Sequence, residues 1–209
     1  MARPSIAARA HAPALLTGTC SEFVGRRALP SVLRERLVVM VLGPPGAGKT
    51  TVALRLAGAV VRRLDARELQ LALVQRVADQ AWAPELLAVP GLILDGPVWL
   101  GGRQGAVDCL GELLRQRVAA GLRTVVCQRD SDGSIHLLVD ELAVGQSVVL
   151  GLRFPVGKAG RLRFARRLCE ELGISKLAAR GTDELQPWGY GEVTHYLSEW
   201  RRRNPALFP

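Results

Sequence analysis

The 209-residue sequence lacks any long apolar segment and any closely spaced pair of cysteines. No run of about 18 uncharged apolar residues is present, so we expect no membrane-spanning helix. The cysteines are far apart and form no C-x-x-C pair, which predicts free thiols in a reduced, cytoplasmic protein and argues against a zinc site. They are Cys20, Cys109, Cys127 and Cys169.

Lysine is also scarce, because only Lys49, Lys158 and Lys176 stand among the 28 basic residues. The net charge of +9 therefore rests almost entirely on arginine. An excess of this kind is compatible with an anionic partner, either nucleic acid or an acidic membrane surface. The densest basic stretches, 161–167 and 201–203, are equally compatible with solvated helix faces. Charge alone leaves both interpretations open.

Acidic residues are absent before Glu22, and residues 1–20 contain Arg3 and Arg9. This composition has some likeness to an organelle targeting peptide, but it has no apolar core of the length that a secretory signal needs. We therefore predict a flexible N-terminal leader over residues 1–20, with a targeting peptide as the alternative.

One segment, residues 37–51, carries the strongest functional signal and reads LVVMVLGPPGAGKTT. Five strand-forming apolar residues lead into G-x-x-x-x-G-K-[ST], the pattern of a phosphate-binding loop. Its glycines let successive backbone amides point at one place, Lys49 can reach the outer phosphates, and the Thr50 hydroxyl can bind Mg²⁺. The predicted nucleotide-contacting residues of this loop are Gly43, Pro44, Pro45, Gly46, Ala47, Gly48, Lys49, Thr50 and Thr51.

Strand and helix patterns alternate around this loop. Strands are expected at 37–41, 60–64, 91–95, 123–128 and 147–152, with helices between them and a short helix at 135–142. Continuous apolar strands that alternate with helices indicate a parallel sheet covered on both faces. We therefore predict an α/β fold: a P-loop three-layer sandwich over residues 21–155 and a small helical lid over 156–209.

The helix that follows the second strand has a clear start signal. Asp65 is a natural N-cap, and Glu68 three positions later completes a capping box. The apolar residues that the helical period groups on its inner face are Leu69, Leu73, Val74 and Val77.

A carboxylate lies at the end of the strand LILD, where Asp95 follows Lys49 by 46 residues. This position is typical of a Walker B carboxylate, which holds Mg²⁺ directly or through water. We predict that Asp95 and Thr50 are the metal ligands. The alternative is that Asp95 only caps a turn.

Several segments together resemble the AAA+ ATPases, and within them the DnaA-type replication initiators and their shorter regulatory relatives. The resemblance covers about residues 21–200 and rests on SEFVGR, VVRRLDARELQLALV, LILDGPVWLGGRQGAVDCLGELLRQRVAAGLRTVVCQ and GRLRFARRLCEELGI. It implies that ATP or ADP binds with Mg²⁺ and that Val24 and Gly25 lie near the adenine. It also implies a sensor-1 residue near the end of RTVVCQ, where Gln128 is the best candidate between Cys127 and Arg129.

The sequence departs from this family at the positions that support hydrolysis. Gly96 occupies the place of the second acidic residue, which orients the attacking water. No arginine stands between Ile135 and Ser147, where the arginine finger is expected, and the nearest cations are Arg129 and Arg153. An arginine finger contributes about 10³–10⁵ in turnover and a water-orienting base about 10²–10⁴, so we expect binding without efficient hydrolysis. The sensor-2 position of the lid falls on Gly191 or, with gaps in the alignment, on Arg180.

These features predict a nucleotide-dependent regulatory or assembly factor with slow or absent ATP hydrolysis. The predicted catalytic residues are Lys49, Asp95 and Gln128. Expected partners are another protein or a second copy, and DNA without sequence preference, because no helix-turn-helix segment follows the lid; we expect no membrane partner. The alternatives are a small P-loop kinase acting on a metabolite and a non-hydrolysing P-loop scaffold.

Overall fold

A computed structural model describes residues 14–24, 30–96, 104–129, 146–155, 157–185 and 188–205. Within these ranges six strands form one sheet in the order β1-β6-β2-β5-β4-β3, and all neighbouring pairs are parallel. The carboxyl ends of parallel strands meet at one edge of a sheet. The strands are β1 (Ala14–Gly18), β2 (Val38–Leu42), β3 (Val61–Asp65), β4 (Gly91–Asp95), β5 (Arg123–Gln128) and β6 (Ser147–Leu152).

Helices cover both faces of this sheet, which confirms the predicted α/β three-layer architecture. One apolar cluster joins the sheet to the helices α1, α3, α7 and α8, and a second joins its other face to α4, α5 and α6. No helix among the described residues is long and apolar enough to cross a bilayer. The helices are α1 (Cys20–Val24), α2 (Ser31–Glu35), α3 (Lys49–Ala57), α4 (Ala66–Asp79), α5 (Pro84–Ala88), α6 (Gln104–Ala119), α7 (Gly157–Glu171) and α8 (Tyr190–Arg203), with a 3₁₀ helix at Lys176–Glu184.

The predicted leader over residues 1–20 extends too far, because Ala14–Gly18 forms the edge strand β1. This strand pairs in parallel with β6, and Arg153 N beyond the pairing donates to Gly18 O at 2.9 Å. A short apolar run such as ALLTG carries little strand signal by itself, and its state is decided by the neighbouring strand. The division of the following residues into a nucleotide-binding domain over 21–155 and a lid over 156–209 stays a prediction.

The capping box of α4 is confirmed, since the Asp65 carboxylate accepts from Arg67 N at 2.9 Å and Glu68 N at 2.8 Å. The Glu68 carboxylate in turn accepts from Asp65 N at 3.0 Å. Asp65 is also the last residue of β3, so the box ends the strand and starts the helix at the same position.

The predicted inner face of α4 is only half correct. Leu69 and Leu73 are buried, whereas Val74 and Val77 are 62% and 69% exposed. The helical period groups the four residues on one side, but the sheet and α6 cover only part of that side. Val74 and Val77 instead line an open apolar groove of about 280 Å³ beside α6. The helix predicted at 135–142 lies outside the described residues.

Candidate functional site

The segment between β2 and α3 is a tight loop that requires glycine at two positions. Gly46 and Gly48 have φ of 76° and 82°, in the left-handed region that other residues rarely adopt. A Cβ at Gly48 would lie 2.6 Å from the Cys20 sulfur. Helix α1 therefore packs directly on the loop. The left-handed backbone of Gly48 and the close contact with Cys20 both exclude a side chain at this position.

Lys49 opens α3 and turns back over the loop. Its ammonium donates to Gly43 O and Pro44 O, each at 2.8 Å. The positive charge is thus held against the loop backbone, at the amino end of a nine-residue helix. Both the charge and the helix dipole favour an anion at this place.

The structure brings Thr50 and Asp95 together, as the sequence predicts. Asp95 ends β4 on the face of the sheet that α3 covers, and the Thr50 hydroxyl donates to Asp95 Oδ2 at 2.9 Å. The carboxylate is largely shielded, with 17% of its side chain exposed. A P-loop hydroxyl and a strand-ending carboxylate therefore form one polar group beside Lys49.

A third side chain, Arg63, belongs to this group, and the sequence did not predict it as a site residue. Its Nε and Nη2 donate to Asp95 Oδ2 at 3.1 and 2.7 Å. Arg63 lies opposite Ile93 in the β3–β4 register, so it shares a sheet face with Ile93 and Asp95. In a strand VRRLD, successive side chains point to opposite faces of the sheet, so the sequence indicates that Arg62 and Arg63 lie on different faces. It does not indicate that β3 lies beside β4.

The donor set at Asp95 does not match a tightly held Mg²⁺. The hydrogen bond from Thr50 is compatible with a metal, because the hydroxyl oxygen keeps a lone pair. The guanidinium of Arg63 is not, since it places a positive charge on the same carboxylate oxygen that already accepts from Thr50. A divalent cation here would meet an arginine as its competitor.

The end of β5 completes the edge of the sheet beside the loop. Cys127 lies opposite Asp95 in one register and Gln128 opposite Leu42 in the other, and Gly43 N donates to Gln128 O at 3.2 Å. Gln128 is thereby placed next to the start of the loop, where the sequence expects a sensor residue. Burial, followed by the negative charge of Asp95, raises the pKa of the Cys127 thiol to about 12. Cys127 is therefore protonated at neutral pH and is not a nucleophile.

The C-terminal helices of the predicted lid contact the loop through the start of α8. Tyr190 N donates to Gly46 O at 2.8 Å, and a Cβ at Gly189 would lie 3.3 Å from the same oxygen. Gly191, one of the two candidate sensor-2 residues, therefore lies in the first turn of the helix that contacts the loop. The other candidate, Arg180, is exposed on the 3₁₀ helix and lines a separate cavity with α7.

The aromatic residues of α7 and α8 and the segment between them pack on the apolar cluster that also covers one face of the sheet. Phe164 lies 5.4 Å from the ring of Trp188 and 6.1 Å from that of Tyr190, both in edge-to-face geometry. Tyr196 and Trp200 pack against the same apolar cluster. These contacts are typical of aromatic side chains that pack in a core.

A cavity of about 680 Å³ lies between α1 and α7. Thr19 and Glu22 line it on one side, and Arg163, Phe164 and Arg167 on the other. Val24 ends α1, and Gly25 lies outside the described residues. The cavity therefore adjoins the segment that the sequence associates with the base of the nucleotide.

Solved structures share this fold. Domain III of the Thermotoga maritima replication initiation protein DnaA aligns over 89% of this chain and 81% of its own, with a TM-score of 0.58 and 16% identity. AMPPCP-bound DnaA from Aquifex aeolicus aligns over 88% and 65%, with a TM-score of 0.59 and 14% identity. The chain has a DnaA-like AAA+ fold. A Thermotoga maritima RuvB variant aligns less closely, over 81% and 55%, with a TM-score of 0.50 and 13% identity.

The predicted resemblance to AAA+ proteins is thus confirmed at the level of the fold. Neither a protein-family model nor a curated protein sequence matches the chain. At 16% identity or less, the DnaA-like AAA+ fold does not carry individual site residues with it. The roles of the loop, Asp95 and Gln128 rest on this chain's own geometry and stay predictions.

Proposed function

We propose that this protein binds ATP or ADP at residues 43–51 and acts as a nucleotide-dependent regulatory or assembly factor. The observation that carries this proposal is the convergence of the loop, Lys49, Thr50 and Asp95 at the carboxyl edge of a parallel sheet. Ligands of open α/β sheets bind at this edge. The solved DnaA structures with AMPPCP support the same interpretation, because that protein has the same fold and binds a nucleotide analogue.

The described residues suggest how each part of a nucleotide would be held. Loop amides and the start of α3 would receive the phosphates, and the Lys49 ammonium would exchange its carbonyl partners for phosphate oxygens. Gln128 is the proposed sensor residue, because it ends β5 next to the start of the loop. The base would lie on the side of α1, toward Val24, Gly25 and the cavity lined by α7.

Magnesium enters this proposal conditionally. Thr50 and Asp95 would hold Mg²⁺ once Arg63 releases the carboxylate, and the ion would then supply charge that offsets the phosphates. With Arg63 in place, Asp95 Oδ2 already accepts from two donor side chains.

Slow hydrolysis is proposed because the residues next to Asp95 do not provide a base for the attacking water. Gly96 carries no side chain that accepts a proton from water, and it follows Asp95 directly. Cys127 beside it stays protonated because its pKa is raised to about 12. Lys49, Asp95 and Gln128 are the proposed catalytic residues of whatever turnover remains.

A regulatory role is proposed from the contact between the lid and the loop. The hydrogen bond from Tyr190 N to Gly46 O joins α8 to the residue that would cradle a phosphate. A bound nucleotide that moves the loop must therefore also move α8 or break this bond. Nucleotide state would then change the position of the lid, which is how a switch signals to a protein partner or a second copy.

DNA is a candidate partner because of the charge and the exposed arginines of the lid. Arg163, Arg166 and Arg167 are exposed on α7, and Arg201, Arg202 and Arg203 on α8. One solved DnaA structure contains AMPPCP and single-stranded DNA, which supports testing single strands first. Contacts of this kind would be independent of sequence and sensitive to salt.

The test compares wild type with Lys49→Ala by titrating a fluorescent ATP analogue, with and without single-stranded DNA. We expect saturable binding by wild type and a loss of at least about tenfold in affinity for Lys49→Ala, since one charge-assisted contact is removed. Lys158→Ala, which removes an exposed lysine from the lid, is the matched control and should bind like wild type. Absence of binding by wild type would overturn the proposal, and transfer of phosphate to a small metabolite would favour a kinase.

A further inference from the structure

Asp95 is held by a cation that belongs to the chain itself. Arg63 directs two nitrogens at Asp95 Oδ2, at 2.7 and 3.1 Å, and its side chain is half exposed. The Thr50 hydroxyl donates to the same oxygen at 2.9 Å. One carboxylate oxygen thus links the first turn of α3 to the neighbouring strand β3.

The position of Arg63 is set by the strand pairing of the sheet. Residues of β3 alternate between the two faces, and the register with β4 places Arg63 on the face that carries Asp95 and α3. Arg62 points to the opposite face, where it pairs with Glu68 of α4 at 3.4 Å. Adjacent arginines therefore have different partners, and only Arg63 belongs to the site.

Three charged side chains lie close together at this site. Lys49, Arg63 and Asp95 are all close enough to act on the Cys127 thiol. These three groups carry two positive charges and one negative charge before any ligand arrives. That balance favours nucleotide phosphates without a metal and disfavours a divalent cation at Asp95.

We propose that Arg63 competes with the divalent cation for Asp95, so that this protein binds nucleotide with little dependence on Mg²⁺. This inference rests on the proposed nucleotide site and adds its cation requirement. Arg63 is a specificity-determining residue in this account, because it decides whether metal-free or metal-bound nucleotide is preferred.

The experiment measures the affinity of a fluorescent ATP analogue in Mg²⁺ and in EDTA. The quantity compared between variants is the affinity in Mg²⁺ divided by the affinity in EDTA. For wild type we expect the affinities to agree within about threefold. For Arg63→Ala we expect weaker binding in EDTA and equal or tighter binding in Mg²⁺, so that the ratio rises by about tenfold. Arg63→Lys keeps a positive charge and should give an intermediate ratio.

Arg62→Ala is the matched control, since it removes an arginine from the same strand but from the opposite face. Its ratio should equal that of wild type. A ratio that is the same in wild type and Arg63→Ala would overturn the inference and leave the nucleotide site intact. Absence of saturable binding by wild type in both conditions would overturn the proposed function as well. If Arg63→Ala does not fold, wild type alone still decides: an affinity that is much higher in Mg²⁺ than in EDTA would overturn the inference.

Discussion

At the scale of single residues, arginine has roles here that its abundance did not predict. Arg117 is fully buried and donates to Thr124 Oγ1 at 2.9 Å and to the backbone oxygens of Leu86, Val89 and Arg123 at 2.5, 3.0 and 2.7 Å. Desolvation lowers its pKa to about 10. Arg117 joins α5, α6 and β5, whereas Arg63 joins β3 to the proposed phosphate site. The same residue type also forms the exposed basic faces of the lid.

Gly96 gives a prediction about the missing water-orienting carboxylate. Among the described residues, no atom lies within 4 Å of a Cβ built there, but the residue has φ of +84°. A glutamate therefore meets no described neighbour at its Cβ and has a backbone cost of about 1–2 kcal/mol. We expect Gly96→Glu to raise ATP turnover by up to about 10²-fold and to lower the free energy of unfolding by that cost. Single-turnover assays and urea denaturation measure the two effects.

Gly96→Ala is the control for this substitution. It carries the same backbone cost without a carboxylate, so its stability should fall in the same way while its turnover stays at the wild-type level. If Gly96→Glu and Gly96→Ala turn over ATP at the same rate, the carboxylate is not the missing component.

At the scale of elements, helix α4 shows where periodicity stops being informative. Its capping box fixes the start at Asp65, and its period groups four apolar residues on one side. Which of these are buried depends on the positions of the sheet and α6, and these positions are properties of the tertiary structure. Leu69 and Leu73 face the core, and Val74 and Val77 face the open groove.

The corrected face of α4 gives a test of stability. Leu73→Ala should lower the free energy of unfolding by about 2–4 kcal/mol, because a buried side chain is removed from the core. Val74→Gln should change it by less than about 0.5 kcal/mol, since that side chain is already mostly in water. Urea denaturation of the two variants measures both free energies and shows which of the two side chains is buried. A loss of similar size in both would mean that Val74 is buried after all.

At the scale of the whole molecule, the order of the strands from β2 to β6 and of the described long helices was predictable. The P-loop pattern fixes a strand before it and a helix after it, and apolar strands between helices indicate a covered parallel sheet. The edge strand β1 was not predictable, because ALLTG becomes a strand only through its pairing with β6. Thr50 and Asp95 were predicted as neighbours from known motifs. Arg63 was not, since its partner depends on which strand lies beside β3.

The hydrolytic capacity of the proposed site depends on residues from several elements of the molecule. The residues that would bind phosphate lie together, whereas the position after Asp95 is a glycine and the neighbouring thiol has its pKa raised to about 12. Within the described residues, the proposed nucleotide site thus has groups that would bind phosphate and few that would activate water.

The most direct test is a single-turnover assay with protein in excess over radiolabelled ATP, in which bound nucleotide and released phosphate are followed together. We predict that the ATP binds fully and is hydrolysed with a rate constant below about 10⁻³ s⁻¹, the range of P-loop sites that lack an arginine finger. A rate constant above about 1 s⁻¹, or ATP that stays unbound at saturating protein, would contradict the account.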